Sequence, residues 1–359
     1  MYLKHFGLTA QPFQLTPDIG FLFMSEAHRR AKAYMDYSVW TREGFVVITG
    51  EIGCGKTTLI QKLLSELDDN VVVPARIFQT QLDEVEFLQS VLVEFGCNPF
   101  SAQKVELLDM LNTALIHYFV QGKQIILIVD DAHNLSPKVL EEIRMLAGLE
   151  THKEKILHAI LVGQPQLNEL LDRPDLEQLS QRVKLRYHIR ALSEQELGQY
   201  IDYRLSAAGA QDRKLFLPET LPVIYKYAGG TPRLINILCD AALTYAYADN
   251  LPKVTANAVE AAISELQWPS YSERIDKRRH KIAQRPVDSG PHDALSEQSR
   301  SLAKIAELVG NLENLPPMLA SISTSLAAIE THLRNLFERK DVDPQTESSQ
   351  QKERRQKAG

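Results

Sequence analysis

The sequence has few cysteines and no long apolar run. None of its 359 residues belong to an uninterrupted apolar stretch approaching the roughly eighteen residues of a transmembrane helix, so we expect no membrane span. The three cysteines, Cys54, Cys97 and Cys239, are far apart, odd in number and without a CxxC pair. This pattern favours free thiols in a reducing compartment over a disulfide framework.

The sequence also lacks an excess of basic residues. Lys and Arg number 40 against 46 Asp and Glu, and the formal net charge is -6. Nucleic acid and anionic lipid are therefore not indicated as main partners of the whole chain, although a local basic patch stays open. The first residues, MYLKHFGLTAQPF, lack the apolar core of a signal peptide. We expect a cytoplasmic protein, with peripheral association at the inner membrane left open.

Between about residues 40 and 190, short apolar runs alternate with helical patterns. Strands that are apolar throughout and separated by helices indicate an α/β fold, with a parallel sheet covered on both faces. The predicted strands are Phe45–Thr49, Val71–Phe78, Gln124–Val129, Ile156–Val162 and Lys184–Ile189. The predicted helices between them include Thr57–Leu67, Glu84–Phe95, Val105–Val120 and Pro137–Leu149.

After residue 190 the pattern becomes helical throughout. The stretch Ser193-Glu194-Gln195-Glu196 is a capping box that opens a helix to about Ala207. Three further helical patterns follow at Pro218–Tyr227, Pro232–Ala248 and Ala256–Leu266. The sequence therefore predicts an all-helical domain over residues 191–268, after an α/β domain over residues 1–190.

The remaining residues are mostly polar. Residues 269–300 form a predicted linker with a basic cluster, KRRHK, at Lys277–Lys281. Over residues 301–340, apolar side chains recur at alternating spacings of three and four, from Ile305 to Leu336, which is coiled-coil periodicity. Pro316-Pro317 would break this segment into two helices, paired within one chain or between chains. Residues 341–359 are a predicted disordered tail.

A phosphate-binding loop follows the first predicted strand. The stretch GEIGCGKT fits the pattern GxxxxGK[ST] and precedes a predicted helix, as that loop requires. Its glycines allow backbone N–H groups to surround phosphate oxygens, Lys56 would reach the β- and γ-phosphates, and Thr57 would ligate Mg²⁺. The predicted nucleotide-binding residues are Gly50, Glu51, Ile52, Gly53, Cys54, Gly55, Lys56, Thr57 and Thr58.

A pair of carboxylates ends the third predicted strand, in the stretch ILIVDDAHNLSP. Asp130 would hold Mg²⁺ through water, together with Thr57. Asp131 would point the other way, since neighbours in a strand alternate faces, and would polarise the water that attacks the γ-phosphate. A solvated or capping carboxylate is the alternative for Asp131.

Together with the helical domain and the stretch GGTPRLIN, these motifs resemble the AAA+ ATPases. More narrowly, FGLTAQPFQLTPD, EGFVVITGEIGCGKTTL, LVGQPQL and GGTPRLINILCD resemble the ExeA-like, general secretion pathway protein A family. The nearest match is its branch linked to exosortase and exopolysaccharide export. The resemblance covers about residues 1–268, and its N-terminal combination is more specific than the phosphate loop.

The resemblance implies roles for further residues. Gln164 matches the sensor-1 residue that places the attacking water, and Arg233 matches the sensor-2 arginine. Arg182 matches an arginine finger that reaches a neighbouring subunit's γ-phosphate, with Arg186 as the rival and a surface arginine as the alternative.

The N-terminal segment carries Phe6, Pro12 and Phe13. The resemblance implies that it packs near the adenine, and core packing alone is the alternative.

The implied function is that of a Mg²⁺-dependent ATPase. It would act as a homo-oligomeric ring or filament, a motor or switch in bacterial envelope assembly, secretion or exopolysaccharide export, with components of those systems as partners. Asp131 stands where AAA+ proteins usually have glutamate, and one methylene less would make hydrolysis slow or dependent on a partner. One alternative is a DNA-associated ATPase of the transposition target-selector type, in which KRRHK would contact DNA phosphates. Another is a scaffold in which bound nucleotide only stabilises the assembly and hydrolysis is negligible.

Overall fold

The structure is a computed structural model that describes residues 2–41, 44–100, 103–150, 155–211 and 213–283, the last six as backbone. The predicted coiled-coil helices of residues 301–340 and the predicted tail lie outside these ranges. Within them, no helix is both long enough and apolar enough to cross a membrane.

Five parallel strands form one sheet in the order β2-β3-β4-β1-β5. Because every pair is parallel, the carboxyl ends of the neighbouring strands β3, β4 and β1 meet at one edge, where ligands bind in open α/β sheets. The predicted parallel sheet is therefore confirmed. The strands are β1 Phe45–Gly50, β2 Val72–Ile77, β3 Gln124–Val129, β4 Leu157–Gly163 and β5 Val183–Ile189.

Helices cover both faces of this sheet. One face packs against side chains such as Phe87, Leu107 and Leu140, and the other against Met35 and Leu59, all of them fully buried. Every residue of β1 and β4 is buried, because helices cover both faces towards which their side chains alternate, and this explains why these strands show no apolar–polar alternation. The helices are α1 Tyr2–Phe6, α2 Glu26–Thr41, α3 Lys56–Glu66, α4 Glu84–Glu94, α5 Lys104–Val120, α6 Pro137–Leu146, α7 Gln166–Leu171 and α8 Glu177–Ser180.

The helical domain follows the sheet. The predicted capping box is present, since Ser193 Oγ accepts from the Glu196 backbone N–H while the Glu196 carboxylate accepts from that of Ser193. Its helices are α9 Glu194–Ala207, α10 Thr220–Ala228, α11 Pro232–Ala248 and α12 Ala256–Glu265.

The N-terminal segment packs with the helical domain. Phe6 and Phe13, each 2% exposed, lie in the same apolar core as Leu197 and Leu238. These two phenylalanines therefore serve core packing, which was one of the two alternatives for this segment. The predicted boundary at residue 190 needs one amendment, because the first residues of the chain contribute to the core of the helical domain.

The linker predicted from residue 269 begins instead with a helix, α13 Tyr271–Ala283. Ser270 caps it, because its Oγ accepts from the Glu273 N–H at 3.4 Å and the Glu273 carboxylate accepts from the Ser270 N–H at 2.8 Å. Arg274 lies over the Trp268 ring at 4.8 Å and donates to the carbonyl of Tyr227. The polar composition suggested a linker, but the Ser-x-x-Glu signal and this contact with the helical domain start a helix.

Candidate nucleotide-binding site

The loop between β1 and α3 turns sharply at two glycines. Gly53 has a φ of +81° and Gly55, the residue before α3, a φ of +93°. A Cβ destabilises this left-handed backbone, so glycine is favoured at both positions. The turn brings backbone amides and the N-terminus of α3 to one place, which is suited to binding an anion.

Lys56 is held against this loop. Its side chain is buried, and its ammonium donates to the carbonyls of Gly50 at 2.9 Å and Glu51 at 3.1 Å. A buried charge requires such partners. The positive group therefore lies where phosphate oxygens would replace or join the two carbonyls, as the motif predicts.

Asp130 connects the end of β3 to the first turn of α3. Its backbone N–H donates to the carbonyl of Ile77 on β2 at 2.9 Å, which fixes its position. One carboxylate oxygen accepts from Thr57 Oγ1 at 2.6 Å and the other from the Asp131 N–H at 2.9 Å. Burial raises the pKa of Asp130, and both hydrogen bonds oppose that rise.

The Thr57 hydroxyl and the Asp130 carboxylate fit the expected Mg²⁺. Both are hard oxygen donors, and Mg²⁺ is usually held by one or two protein oxygens together with waters and phosphate oxygens. The structure thus places the two predicted metal residues in direct contact, although they are 73 positions apart in the sequence.

Asp131 lies just beyond the strand and lines the same cavity as Lys56 and Thr57. Its backbone is left-handed, with a φ of +49°, a conformation that aspartate tolerates better than most residues. The expectation that strand alternation directs its side chain is therefore wrong in its reason, because β3 ends at Val129. The turn after the strand, rather than the pleat, sets where this carboxylate lies.

His133 is a residue of the site that the sequence analysis did not single out. Its Nδ1 lies 3.9 Å from a carboxylate oxygen of Asp131 and accepts from the Gln164 backbone N–H at 3.4 Å. The terminal amide of Gln164 lies 2.6 Å from its Nε2. Burial lowers the pKa of His133, which favours the neutral ring. The imidazole thus contacts the predicted sensor-1 residue and lies close to the predicted base, and its position in the DDAH stretch was the available signal.

Arg233 brings the helical domain to the phosphate loop. Its backbone N–H, at the start of α11, donates to the carbonyl of Gly53 at 3.1 Å. A Cβ placed on Gly53 would lie 2.4 Å from the Cβ of Arg233, so the two backbones touch. The side chain lines the cavity, where a sensor-2 arginine is expected.

The two finger candidates lie elsewhere. Arg182 donates to the carbonyl of Arg144 at 2.9 Å, and Arg186 donates to Asp172 at 2.8 Å and Ser180 at 2.6 Å. Neither belongs to the described side chains that line the cavity. The structure brings neither arginine to the cavity of its own chain, and the finger assignment stays a prediction.

The cavity itself, about 310 Å³, lies between the loop and the helical domain. The predicted residues from Ile52 to Thr58 line one side, whereas Gly50 and Glu51 act through the carbonyls that hold Lys56. The N-terminal segment lines the other side through residues 14–18 and 21–23, not through Phe6, Pro12 or Phe13.

Arg204 of α9 fixes that segment. Its guanidinium donates to the carbonyls of Pro12 at 2.6 Å, Gln14 at 3.1 Å and Phe21 at 3.2 Å. Because this one buried side chain binds three carbonyls, it holds the segment beside the cavity.

This combination of a phosphate loop, a following acid and a helical domain seated on the loop has counterparts among known proteins. A family model described as an AAA domain matches residues 40–171. The general secretion pathway protein A of Aeromonas hydrophila is 38% identical over 267 residues, 74% of this chain and 48% of that protein. The chain belongs to the AAA+ family. The resemblance to general secretion pathway protein A predicted from the sequence is confirmed, and the chain spans about half the length of that curated relative.

Solved structures agree on the AAA+ fold. The Aeropyrum pernix ORC2 protein in its ADPNP and ADP complexes is 16% identical, with a TM-score of 0.51 over 66% of each chain. The Aeropyrum pernix ORC1 protein in complex with DNA is 15% identical, with a TM-score of 0.52 over 89% of this AAA+ chain and 87% of the other. At such low identity the similarity shows the fold alone.

Proposed function

We propose that this AAA+ chain binds ATP with Mg²⁺ and hydrolyses it. The observation that carries the proposal is the 2.6 Å hydrogen bond between Thr57 and Asp130, beside the ammonium of Lys56. In P-loop ATPases a hydroxyl and a carboxylate so placed hold the metal that neutralises charge on the β- and γ-phosphates. AAA+ membership and the cavity between the two domains agree with a bound nucleotide.

The other residues of the cavity suit hydrolysis. Asp131 would accept the proton of the attacking water, and Gln164 would orient that water. His133 contacts Gln164 through both ring nitrogens and lies 3.9 Å from the Asp131 carboxylate, so it helps to position Gln164 in the cavity. The short Asp131 carboxylate sits on a turn rather than on a rigid strand, which supports slow turnover that a partner accelerates.

We also propose that the active form is a homo-oligomer, a ring or a filament. Its support is the position of Arg182. This arginine is not one of the described residues that line the cavity of its own chain. An arginine supplied by a neighbour would stabilise the charge that develops on the transferred phosphoryl group. Each site would then be complete only in the assembly.

The biological role proposed is that of a motor or switch in bacterial envelope assembly, secretion or exopolysaccharide export. Its support is the similarity to general secretion pathway protein A over 74% of the chain. Exopolysaccharide export is included because the sequence motifs also resemble the exosortase-linked branch of that family.

The test is Lys56→Ala, with Lys62→Ala on the same helix as the matched control. Lys62 pairs with Glu66 at 2.7 Å, so its removal deletes an equal charge without touching the loop. We expect Lys56→Ala to lose most ATP affinity in calorimetry with Mg²⁺, and Lys62→Ala to keep it. Wild-type protein should release phosphate from ATP with Mg²⁺ and not with EDTA. Undiminished ATP binding by Lys56→Ala would refute the phosphate-loop assignment.

A further inference from the structure

A buried histidine outside the recognised motifs contacts the phosphate loop from α2. His28 is 3% exposed, and its Nε2 lies 2.8 Å from the backbone carbonyl of Cys54, at the centre of the loop. Its Nδ1 lies 2.7 Å from Ser25 Oγ. The same ring borders the cavity.

The chemistry of these contacts fixes the form of the ring. A carbonyl oxygen only accepts, so Nε2 carries the proton and donates to Cys54, and Nδ1 accepts the Ser25 hydroxyl. Ser25 Oγ in turn accepts from the backbone N–H of His28 at 3.3 Å. Burial lowers the pKa of His28, in agreement with a neutral ring whose two nitrogens are both satisfied.

The ring also packs directly beneath the last turn of the loop. A Cβ placed on Gly55 would lie 3.0 Å from His28 Nε2, so ring and loop backbone are in close contact. Cys54 stands between Gly53 and Gly55, the two left-handed residues that shape the loop. A hydrogen bond to the Cys54 carbonyl therefore acts at the point where the loop has the fewest side chains of its own to hold it.

The helix that carries His28 is itself anchored. The backbone N–H of Glu26, in its first turn, donates to the carboxylate of Glu196 at 3.1 Å. Glu196 belongs to the capping box of α9 and also accepts from Ser193. His28 thus belongs to a helix that is hydrogen-bonded to the helical domain, and its side chain extends from this helix to the phosphate loop.

We propose that His28 is a positioning residue of the nucleotide site, which holds the phosphate loop in the shape that receives the β- and γ-phosphates. This inference rests on the proposed nucleotide binding and assigns His28 no contact with the reacting atoms. An apolar residue could fill the same space, but it would leave the buried Cys54 carbonyl without its donor. An unsatisfied buried acceptor costs free energy, which a displaced loop would relieve at the expense of phosphate binding.

Two substitutions separate the donor from the bulk of the ring. His28→Gln places an amide N–H close to the position of Nε2 and can still reach the Cys54 carbonyl. His28→Asn places its amide close to Nδ1, where it can bond Ser25 but is too short for Cys54. We expect ATP affinity within about threefold of wild type for His28→Gln and about tenfold weaker for His28→Asn, the size of one unmade buried hydrogen bond.

The full chain is used for both variants, with ATP and Mg²⁺ titrated in calorimetry and thermal unfolding measured without nucleotide. Equal affinity of the two variants, whether both match wild type or both are weakened alike, would overturn the positioning role. If neither variant folds, Ser25→Ala carries the test: weakened ATP binding is expected, and unchanged affinity would overturn the proposal. Lys56→Ala, measured alongside, separates the proposed nucleotide binding from the positioning role of His28. If Lys56→Ala binds ATP normally, the proposed function fails. If Lys56→Ala loses ATP binding while the His28 variants keep it, the positioning role alone is refuted.

Discussion

Replacing Gly53 by alanine tests whether the helical domain is seated on the phosphate loop. The added Cβ would lie 2.4 Å from the Cβ of Arg233, and 3.2 Å from its Cδ. Gly122, in the turn between α5 and β3, offers a matched control. Its φ of +78° is close to the +81° of Gly53, and a Cβ there would meet nothing within 4 Å.

The expected magnitudes follow from this difference. Both alanines adopt a left-handed backbone, at a cost of about 1–2 kcal/mol each. Both also restrict the unfolded chain equally, so that contribution cancels in the comparison. At Gly53 the start of α11 must retreat by more than about 1 Å to reach normal carbon contact, about 3.5–4.0 Å. That movement breaks the bond from the Arg233 N–H to the Gly53 carbonyl, worth about 0.5–1.5 kcal/mol.

The assays are chemical unfolding and ATP calorimetry on both variants. Gly122→Ala should lower the free energy of unfolding and leave ATP affinity unchanged. Gly53→Ala should lower that free energy by about 1 kcal/mol more, the order of one lost hydrogen bond, and should weaken ATP binding at least about tenfold, because the loop that binds phosphate is displaced. Equal stability of the two variants together with wild-type ATP affinity of Gly53→Ala would refute the seating of α11 on the loop.

Two further predictions concern hydrolysis. Asp131→Asn keeps the size of the side chain but removes the base, so ATP should still bind while turnover, measured as phosphate release, falls by about 10²-fold or more; unchanged turnover would exclude Asp131 as the activating residue. Arg182→Ala should leave ATP binding by isolated subunits intact and reduce hydrolysis in the assembly, where comparable fingers are worth about 10³–10⁵-fold; Arg186→Ala, which removes the rival candidate, is measured alongside, and a loss of hydrolysis in that variant alone would transfer the finger role to Arg186. Mixing Arg182→Ala with Lys56→Ala subunits should restore part of the activity, because some interfaces then combine an intact loop with an intact finger, and absence of rescue in demonstrated co-assemblies would count against action between subunits.

The sequence by itself determined the sheet and the phosphate loop. Continuous apolar runs at β1, β3 and β4 predict buried parallel strands, since burial on both faces leaves no alternation. The loop was equally readable, because its glycines, Lys56 and Thr57 stand in one short stretch whose backbone does the binding. Asp130 could be placed as well, since the carboxyl ends of neighbouring parallel strands converge on one edge.

Only the tertiary structure decided what surrounds that loop. His28 meets Cys54 from 26 residues away, and the Gln164 amide meets His133 from 31 residues away. Arg204 holds the carbonyl of Pro12 across 192 residues. Such hydrogen bonds leave no periodic signal, because they join single polar atoms of residues brought together by the packing of separate elements. The same reason explains helix α13, which forms where a capping signal in a polar segment coincides with a contact to the helical domain that no local pattern records.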